Sequence, residues 1–318
     1  MNQRIIFMGT PQFAVASLNA LVAAGLDVAA VVTAPDRPAG RGRQLRRSAV
    51  KERALELGLP VLQPEKLKDP GFHKQLDALD ASLYIVVAFR MLPEVVWDRP
   101  SMGTINLHAS LLPDYRGAAP INWAIINGEE RTGVTTFRLN GQIDTGDILL
   151  RETVPIGPDE NAGALHDRLM AVGADVLTRT TKNILDGTSN AVPQDEFQGQ
   201  PMHDAPKLTP VSCRIQWARH AKQVHDQIRG LSPLPGAWTL WKEPGKEAQQ
   251  FKVLAAHVSR THAQRPVQGS VEIHGEDLHI GCGSGSIQAL EVQMQGKKPM
   301  DAASFIRGLH RREGITVE

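Results

Sequence analysis

Two short stretches hold the side chains best suited to chemistry: Asn106-Leu107-His108-Ala109-Ser110-Leu111-Leu112-Pro113 and, further along, Ile143-Asp144-Thr145-Gly146-Asp147. Asn106 and His108 stand at i and i+2 and close the apolar run Gly103-Thr104-Ile105, so on an extended strand both project from one face. An amide donor and a titratable ring then share a cleft. Such a pair stabilises negative charge growing on a carbonyl oxygen, and a carboxylate such as Asp144 orients or charges the imidazole. The chemistry this suggests is acyl or formyl transfer.

An isolated Asn-x-His is more often a polar cluster at a sheet end, satisfied by backbone. The following residues reverse that reading, because Ser110 to Ile121 is too apolar for a plain solvent loop and contains the small-residue run Arg116-Gly117-Ala118-Ala119. A pocket wall accounts for both traits. The stretch Gly141 to Asp147 could be only a turn, but as a calcium loop it fails, since acidic ligands at alternate positions are missing. Gly9-Thr10-Pro11-Gln12-Phe13-Ala14 invites a dinucleotide reading, yet Pro11 and Ala14 occupy the later glycine positions of the G-x-G-x-x-G pattern. A tight strand-to-helix turn with proline near the first helical position explains it without a cofactor.

These residues need elements to hold them. Residues 4–8 are an apolar run before Gly9-Thr10-Pro11, and Phe13, Ala16, Leu18, Leu21 and Val22 follow with helical spacing. Val28 to Thr33 reads as a second strand, Ser48 as the N-cap of a helix from Ala49 to Leu57, and Val61-Leu62, Leu83 to Ala88 and Thr104 to Leu107 as further strands. Strands alternating with helices predict a parallel sheet covered on both faces, an α/β doubly wound fold with ligands at the carboxyl ends of strands. Leu165 to Ile184 keeps a helical period and closes this domain, assigned to residues 1–188. Residues 189–206, rich in proline and polar groups, read as a linker. Within 207–318 a helix from Trp217 to Leu231 precedes apolar runs at 237–241, 251–257, 267–273, 278–281 and 287–292. Their close spacing predicts a small OB-like β-barrel.

The 318-residue length suits two domains at about 150 residues each. Apolar content of 42% and charged content of 22% match soluble globular proteins, and no apolar stretch approaches the ~20 residues that span a bilayer. Met1 to Met8 has too short an apolar run for a secretory signal and reads as the first strand. Cys213 and Cys282 have no CxxC or nearby histidine partner and do not make a disulfide framework. A cytoplasmic location is the expectation. The net charge of +1 hides an asymmetry, for from Ala205 onward fifteen Lys and Arg face ten Asp and Glu, a net +5, leaving −4 before it. That is either ordinary solvated charge or a face for a polyanion.

The chain resembles the methionyl-tRNA formyltransferases, within the folate-dependent formyltransferase superfamily, over nearly its whole length. The resemblance rests on residues 6–14, 35–42, 106–113 and 115–121, on Asp144-Thr145-Gly146-Asp147-Ile148-Leu149, on Pro233 to Trp238 and on Gly296-Lys297-Lys298-Pro299-Met300. It implies a catalytic domain binding 10-formyltetrahydrofolate, without a metal, and a barrel that helps hold initiator methionyl-tRNA. By the same resemblance Asn106 and a protonated His108 hold the oxyanion, Asp144 pairs with His108 and takes the amine proton through water, and Ser110, Leu111, Leu112 and Pro113 contact the folate. Phe89 and Met91 fall in a second wall of that pocket, where the family's usual glycine beside Arg90 is missing, and Asp114 replaces a basic residue. Five arginines lie in the eleven residues 37–47. In the family this loop meets the tRNA acceptor end, so Arg37, Arg41 and Arg43 are expected there, with Lys297 and Lys298 on a second backbone track. A monomer is expected. Two other readings stay open: a sister enzyme formylating a small amine such as a sugar nucleotide or purine precursor, and a nonenzymatic RNA-binding module on a degenerate fold.

Overall fold

Five-residue apolar runs, too short for helices, set the first layer. Ile5–Gly9 (β1), Gln12–Ala23 (α1) and Val28–Val32 (β2) follow one another, and every residue of both strands is buried, as for strands covered on two faces. The computed structural model describes residues 3–39, 44–197, 202–259 and 267–318. Next come Arg37–Ala39 (β3) and Gln44–Arg46 (β4), antiparallel to each other with Arg37 opposite Arg46. Ala49–Glu56 (α2), Val61–Leu62 (β5), Pro70–Leu79 (α3), Leu83–Val87 (β6), Glu94–Trp97 (α4), Thr104–His108 (β7) and Arg116–Gly117 (β8) continue the chain. The helix starts are encoded locally: Ser48 accepts the Lys51 amide at 3.0 Å and Asp69 the Phe72 amide at 3.0 Å.

After Pro120–Ile126 (α5), Arg131–Arg138 (β9) and Ile148–Pro155 (β10) complete a seven-stranded sheet of order β10-β9-β7-β6-β1-β2-β5. The strands from β7 to β5 are parallel, and β9 runs antiparallel to β7. From β1 the chain moves first to β2 and only later returns to β6 on the other side, so the topological switch lies between β1 and β6, where Gly9 pairs with Val87. Gly9 is there for close approach. A Cβ on it would stand 2.7 Å from the Ala14 Cβ and 3.1 Å from the Val87 carbonyl oxygen. The turn that lacks the dinucleotide glycines thus uses its glycine for packing α1 on the sheet.

Ala162–Leu185 (α6) is the long helix foreseen in the sequence. The stretch that reads as linker carries a 3₁₀ turn at Gln194–Phe197 and Asp204–Ala205 (β11). The chain divides into two compact units. One comprises Met1–Gly117, Gly133–Val154 and His166–Asp204, and the other Ala118–Thr132, Pro155–Leu165 and Ala205–Glu318.

The second unit contains Ala221–Leu231 (α7), Ala237–Lys242 (β12), Gln249–Val258 (β13), Val271–His274 (β14), Asp277–Gly281 (β15), Ser286–Met294 (β16), Met300–Asp301 (β17), Ala302–Arg307 (α8) and Thr316–Val317 (β18). Its sheet runs β14-β15-β16-β13-β12-β18. The Val317 amide donates to the Gly269 carbonyl at 2.9 Å and the Val271 amide to that of Ile315 at 3.3 Å, so β18 reaches back beside β14 and nearly closes a barrel. α7 begins four residues later than its apolar spacing predicts, because His220 caps it with a capping box. Trp217 instead enters the core, its indole N–H donating to Thr239 Oγ1 at 2.9 Å. Trp241, Phe251 and Phe305 pack ring to ring at 4.8 to 5.2 Å. Cys213 and Cys282 are buried free thiols, and burial pushes the Cys282 thiol up to about 12. Among the described residues no helix is long and apolar enough to cross a membrane.

Candidate active site

β7 places the pair. Asn106 lies opposite Val86 on one side and Phe137 on the other, and His108 lies opposite Thr135, so their shared parity sets both on one face. His108 is buried and Asn106 half-buried. Among the described residues the Asn106 side-chain amide forms no hydrogen bond within the protein. A half-open amide without an internal partner is available to a ligand.

The His108 ring has an oxygen acceptor on each side. Its Nε2 lies 2.8 Å from the Tyr115 carbonyl, to which it donates, and its Nδ1 lies 3.7 Å from Asp144 Oδ2. That carboxylate oxygen also accepts the Gly117 amide at 3.0 Å. Tyr115 and Asp144 both have left-handed backbone, with φ of 58° and 54°. For non-glycine residues this conformation costs about 1 kcal/mol or more and persists only where surroundings impose it.

Those surroundings are visible. Asp114 Oδ1 accepts the His203 amide at 2.7 Å and the Tyr115 amide at 3.1 Å, and the Tyr115 and His203 rings stack at 5.1 Å. Asp144 is gripped from behind by Gln194. The buried Gln194 amide donates through Nε2 to the carbonyls of Asp144 at 2.9 Å and Gly146 at 2.8 Å, while its Oε1 accepts from Arg116 Nε at 3.1 Å and Nη2 at 2.5 Å. Gly146 must be glycine, since a Cβ there would fall 1.7 Å from the Arg138 carbonyl oxygen. Sequence reading missed Gln194, because a glutamine in a proline-rich, aperiodic stretch carries no signal.

The Ser110 to Pro113 loop is mostly internal. Ser110 and Leu112 are fully buried. Thr135 Oγ1 donates to the Ser110 carbonyl at 2.7 Å and accepts the Leu112 amide at 3.1 Å, and Arg151 donates to the Leu112 carbonyl at 3.0 Å. Leu112 packs with Phe137 and Ile148. Of the two leucines expected to cover a ligand, Leu112 is therefore a core residue, and Leu111 alone is partly open. Beyond β6, Ala88 has φ of 47°, Phe89 is half-buried and Met91 is 73% exposed. Arg90 donates to the Pro64 and Glu65 carbonyls and lies 5.6 Å over the Phe89 ring.

Of the basic residues, Arg37 is exposed on β3 and Lys297 and Lys298 are exposed between β16 and β17. Arg41 and Arg43 lie outside the described residues.

Comparison with known proteins gives this site its class. Residues 3–181 match the family described as Formyl transferase, and residues 207–310 match the Formyl transferase, C-terminal domain family. Fold and site together define a formyl transferase. Among curated relatives, the methionyl-tRNA formyltransferase of Parabacteroides distasonis is 48% identical over 318 residues, covering 99% of this chain and 98% of its own length. That of Porphyromonas gingivalis is 48% identical over 317 residues, with the same coverage of both chains. The chain belongs to the methionyl-tRNA formyltransferase family. Among solved structures, a sugar 3N-formyl transferase with dTDP and 5-N-formyl-THF superposes at a TM-score of 0.66 and 18% identity, over 94% of this chain and 100% of that one. HypX from Aquifex aeolicus in complex with tetrahydrofolic acid gives 0.60 at 18% identity, over 96% of this chain and 47% of that one. At such identity the likeness is one of fold.

Proposed function

We propose that this chain transfers a formyl group from 10-formyltetrahydrofolate to the α-amine of methionyl initiator tRNA. The observation that carries the reading is the Asn106 amide, unpartnered among the described residues, on the same strand face as the His108–Asp144 pair, in a chain whose relatives from Parabacteroides distasonis and Porphyromonas gingivalis are named for that reaction. The amine nitrogen attacks the formyl carbon and the carbonyl electrons move onto oxygen. The Asn106 amide donates to that oxyanion and the His108 ring lends it positive charge. Collapse breaks the bond to folate N10, and the amine's proton leaves through water toward Asp144 and finally to N10. No step needs a metal.

Catalysis is assigned to residues 1–188 and tRNA holding to residues 207–318, joined through 189–206, in a cytoplasmic monomer. Ser110 to Pro113 form the rigid back of the folate pocket, and Phe89 and Met91 its outer wall. Arg37, Arg41, Arg43, Lys297 and Lys298 take the tRNA phosphates, with affinity that falls as salt rises. The experiment offers labelled 10-formyltetrahydrofolate with charged initiator tRNA, charged elongator tRNA and amino-sugar nucleotides in parallel. Formylation selective for the first supports the reading, and equal or better formylation of the amino sugar overturns it. In the same assay Arg41→Ala is expected to narrow the preference for initiator over elongator tRNA.

Gln194 acts as a positioning residue for Asp144. Gln194→Glu keeps the shape and the Arg116 contact but replaces two donated hydrogen bonds by repulsion between oxygens. It should lower kcat roughly ten- to hundredfold, as expected when a reacting group is misplaced by about 1 Å, with the KM for methionyl-tRNA little changed. Steady-state kinetics on folded protein check this; a rise in KM with kcat intact would assign Gln194 to binding instead.

A further inference from the structure

Away from the candidate active site, the second unit brings two imidazoles and a carboxylate together from three separate stretches of chain. His225 on α7 places its Nε2 3.3 Å from Asp159 Oδ1, and His257 on β13 places its Nδ1 3.6 Å from the same oxygen. One ligand atom from each of the three residues lies within 4.8 Å of the others. Four ligands at about 2.0 to 2.1 Å around a tetrahedral zinc ion stand about 3.3 to 3.4 Å apart. The two edges that share Asp159 already have nearly that length.

Two further features mark the cluster as built. His225 is only 4% exposed, and its Nδ1 has no hydrogen-bond partner among the described residues while facing Asp226 Oδ1 at 3.7 Å. A ligating histidine backed by a carboxylate on its other nitrogen is the usual way a metal site fixes ring orientation. The backbone turn that carries Asp159 is held as well. Arg229 donates to the carbonyls of Gly157 at 3.2 Å and Glu160 at 3.0 Å, and the Glu160 amide closes a turn on the Gly157 carbonyl at 3.2 Å. That turn presents the exposed Asp159 carboxylate to the buried ring.

We propose that Asp159, His225 and His257 bind a divalent transition-metal ion of the zinc type, with solvent in the fourth position. Two imidazoles favour zinc, cobalt, nickel or copper over magnesium and calcium, which prefer all-oxygen sites. The ion would clip the 155–165 segment to α7 and β13 and takes no part in formyl transfer.

The test uses the full chain, stripped by chelator and titrated with Co²⁺ and then Zn²⁺. The expected result is one ion per chain, the visible absorption of tetrahedral cobalt, displacement by zinc, and a thermal midpoint that rises with zinc concentration. His257→Ala and Asp159→Asn, both at exposed positions, should each weaken binding roughly tenfold or more. Formylation by the metal-free variants serves as the control for folding. Absence of stoichiometric binding overturns the proposal, and so does affinity unchanged in both variants, which would place the ion elsewhere, as at His274 and His279.

Discussion

Replacing Asn106 by alanine should lower the rate of formyl transfer about 100- to 1000-fold, the loss of roughly 2.7 to 4 kcal/mol that follows removal of one oxyanion donor. The upper part of that range is favoured by the neighbouring ring. His108 already gives its Nε2 hydrogen to the Tyr115 carbonyl and turns Nδ1 toward Asp144, so Asn106 offers this face a donor that, among the described residues, is not committed to another group. The loss should appear in the chemical step. Single-turnover formylation of methionyl-tRNA at saturating folate isolates it, and affinity for both substrates should change little. Stability should also be nearly unaltered, because the amide has no hydrogen bond among the described residues to lose. A folded Asn106→Ala protein with near-normal turnover would remove Asn106 from the oxyanion role and leave the His108–Asp144 pair to carry the charge alone.

Much of this site was legible because parity and apolar runs are local properties. β7 needed only Gly103 to His108 to put Asn106 and His108 on one face, and Ser48 announced α2 through a side chain three residues from its hydrogen-bond donor. The hidden part depends on long-range partners. Gln194 reaches Asp144 across fifty residues, and the Asp114 contact to His203 spans eighty-nine. Neither leaves a period or a motif. The antiparallel arm of the sheet was also unannounced, since β9 and β10 mix threonine, arginine and apolar residues without strict alternation. Leu112 shows the opposite failure: an apolar residue in a functional loop reads as ligand cover, yet burial assigns it to the core. The cap at His220 explains why α7 starts late, for histidine is an uncommon cap and the apolar spacing runs on through Trp217.

The largest effect on stability should come from Arg229→Leu in the second unit. Arg229 and Asp226 are 5% and 3% exposed, and Arg229 Nε donates to Asp226 Oδ1 at 2.8 Å while Nη1 holds the Gly157 and Glu160 carbonyls. Breaking one side of a buried ion pair costs about 3 to 5 kcal/mol because a charge is left behind. Lys222 still reaches both Asp226 oxygens at 2.5 and 2.7 Å, which holds the expected loss near 3 kcal/mol. Burial opposes the charge on Asp226, but the adjacent His225 ring and the hydrogen bonds from Lys222 and Arg229 outweigh it and hold its pKa down to about 2, below the ordinary 3.8. A carboxylate with a depressed folded pKa stabilises the protein above its unfolded pKa, and that contribution fades as pH falls through the folded value. The gap between the parent and Arg229→Leu should therefore be full at neutral pH and shrink as pH drops from about 4 toward 2. Urea unfolding followed through Trp217, Trp238 and Trp241 measures it. Adding Asp226→Asn to Arg229→Leu should recover part of the loss, since the buried carboxylate that has lost its Arg229 partner is then neutral. An equal gap at pH 7 and near pH 3 would mean that Arg229 acts through packing and its carbonyl bonds rather than through the charge of Asp226.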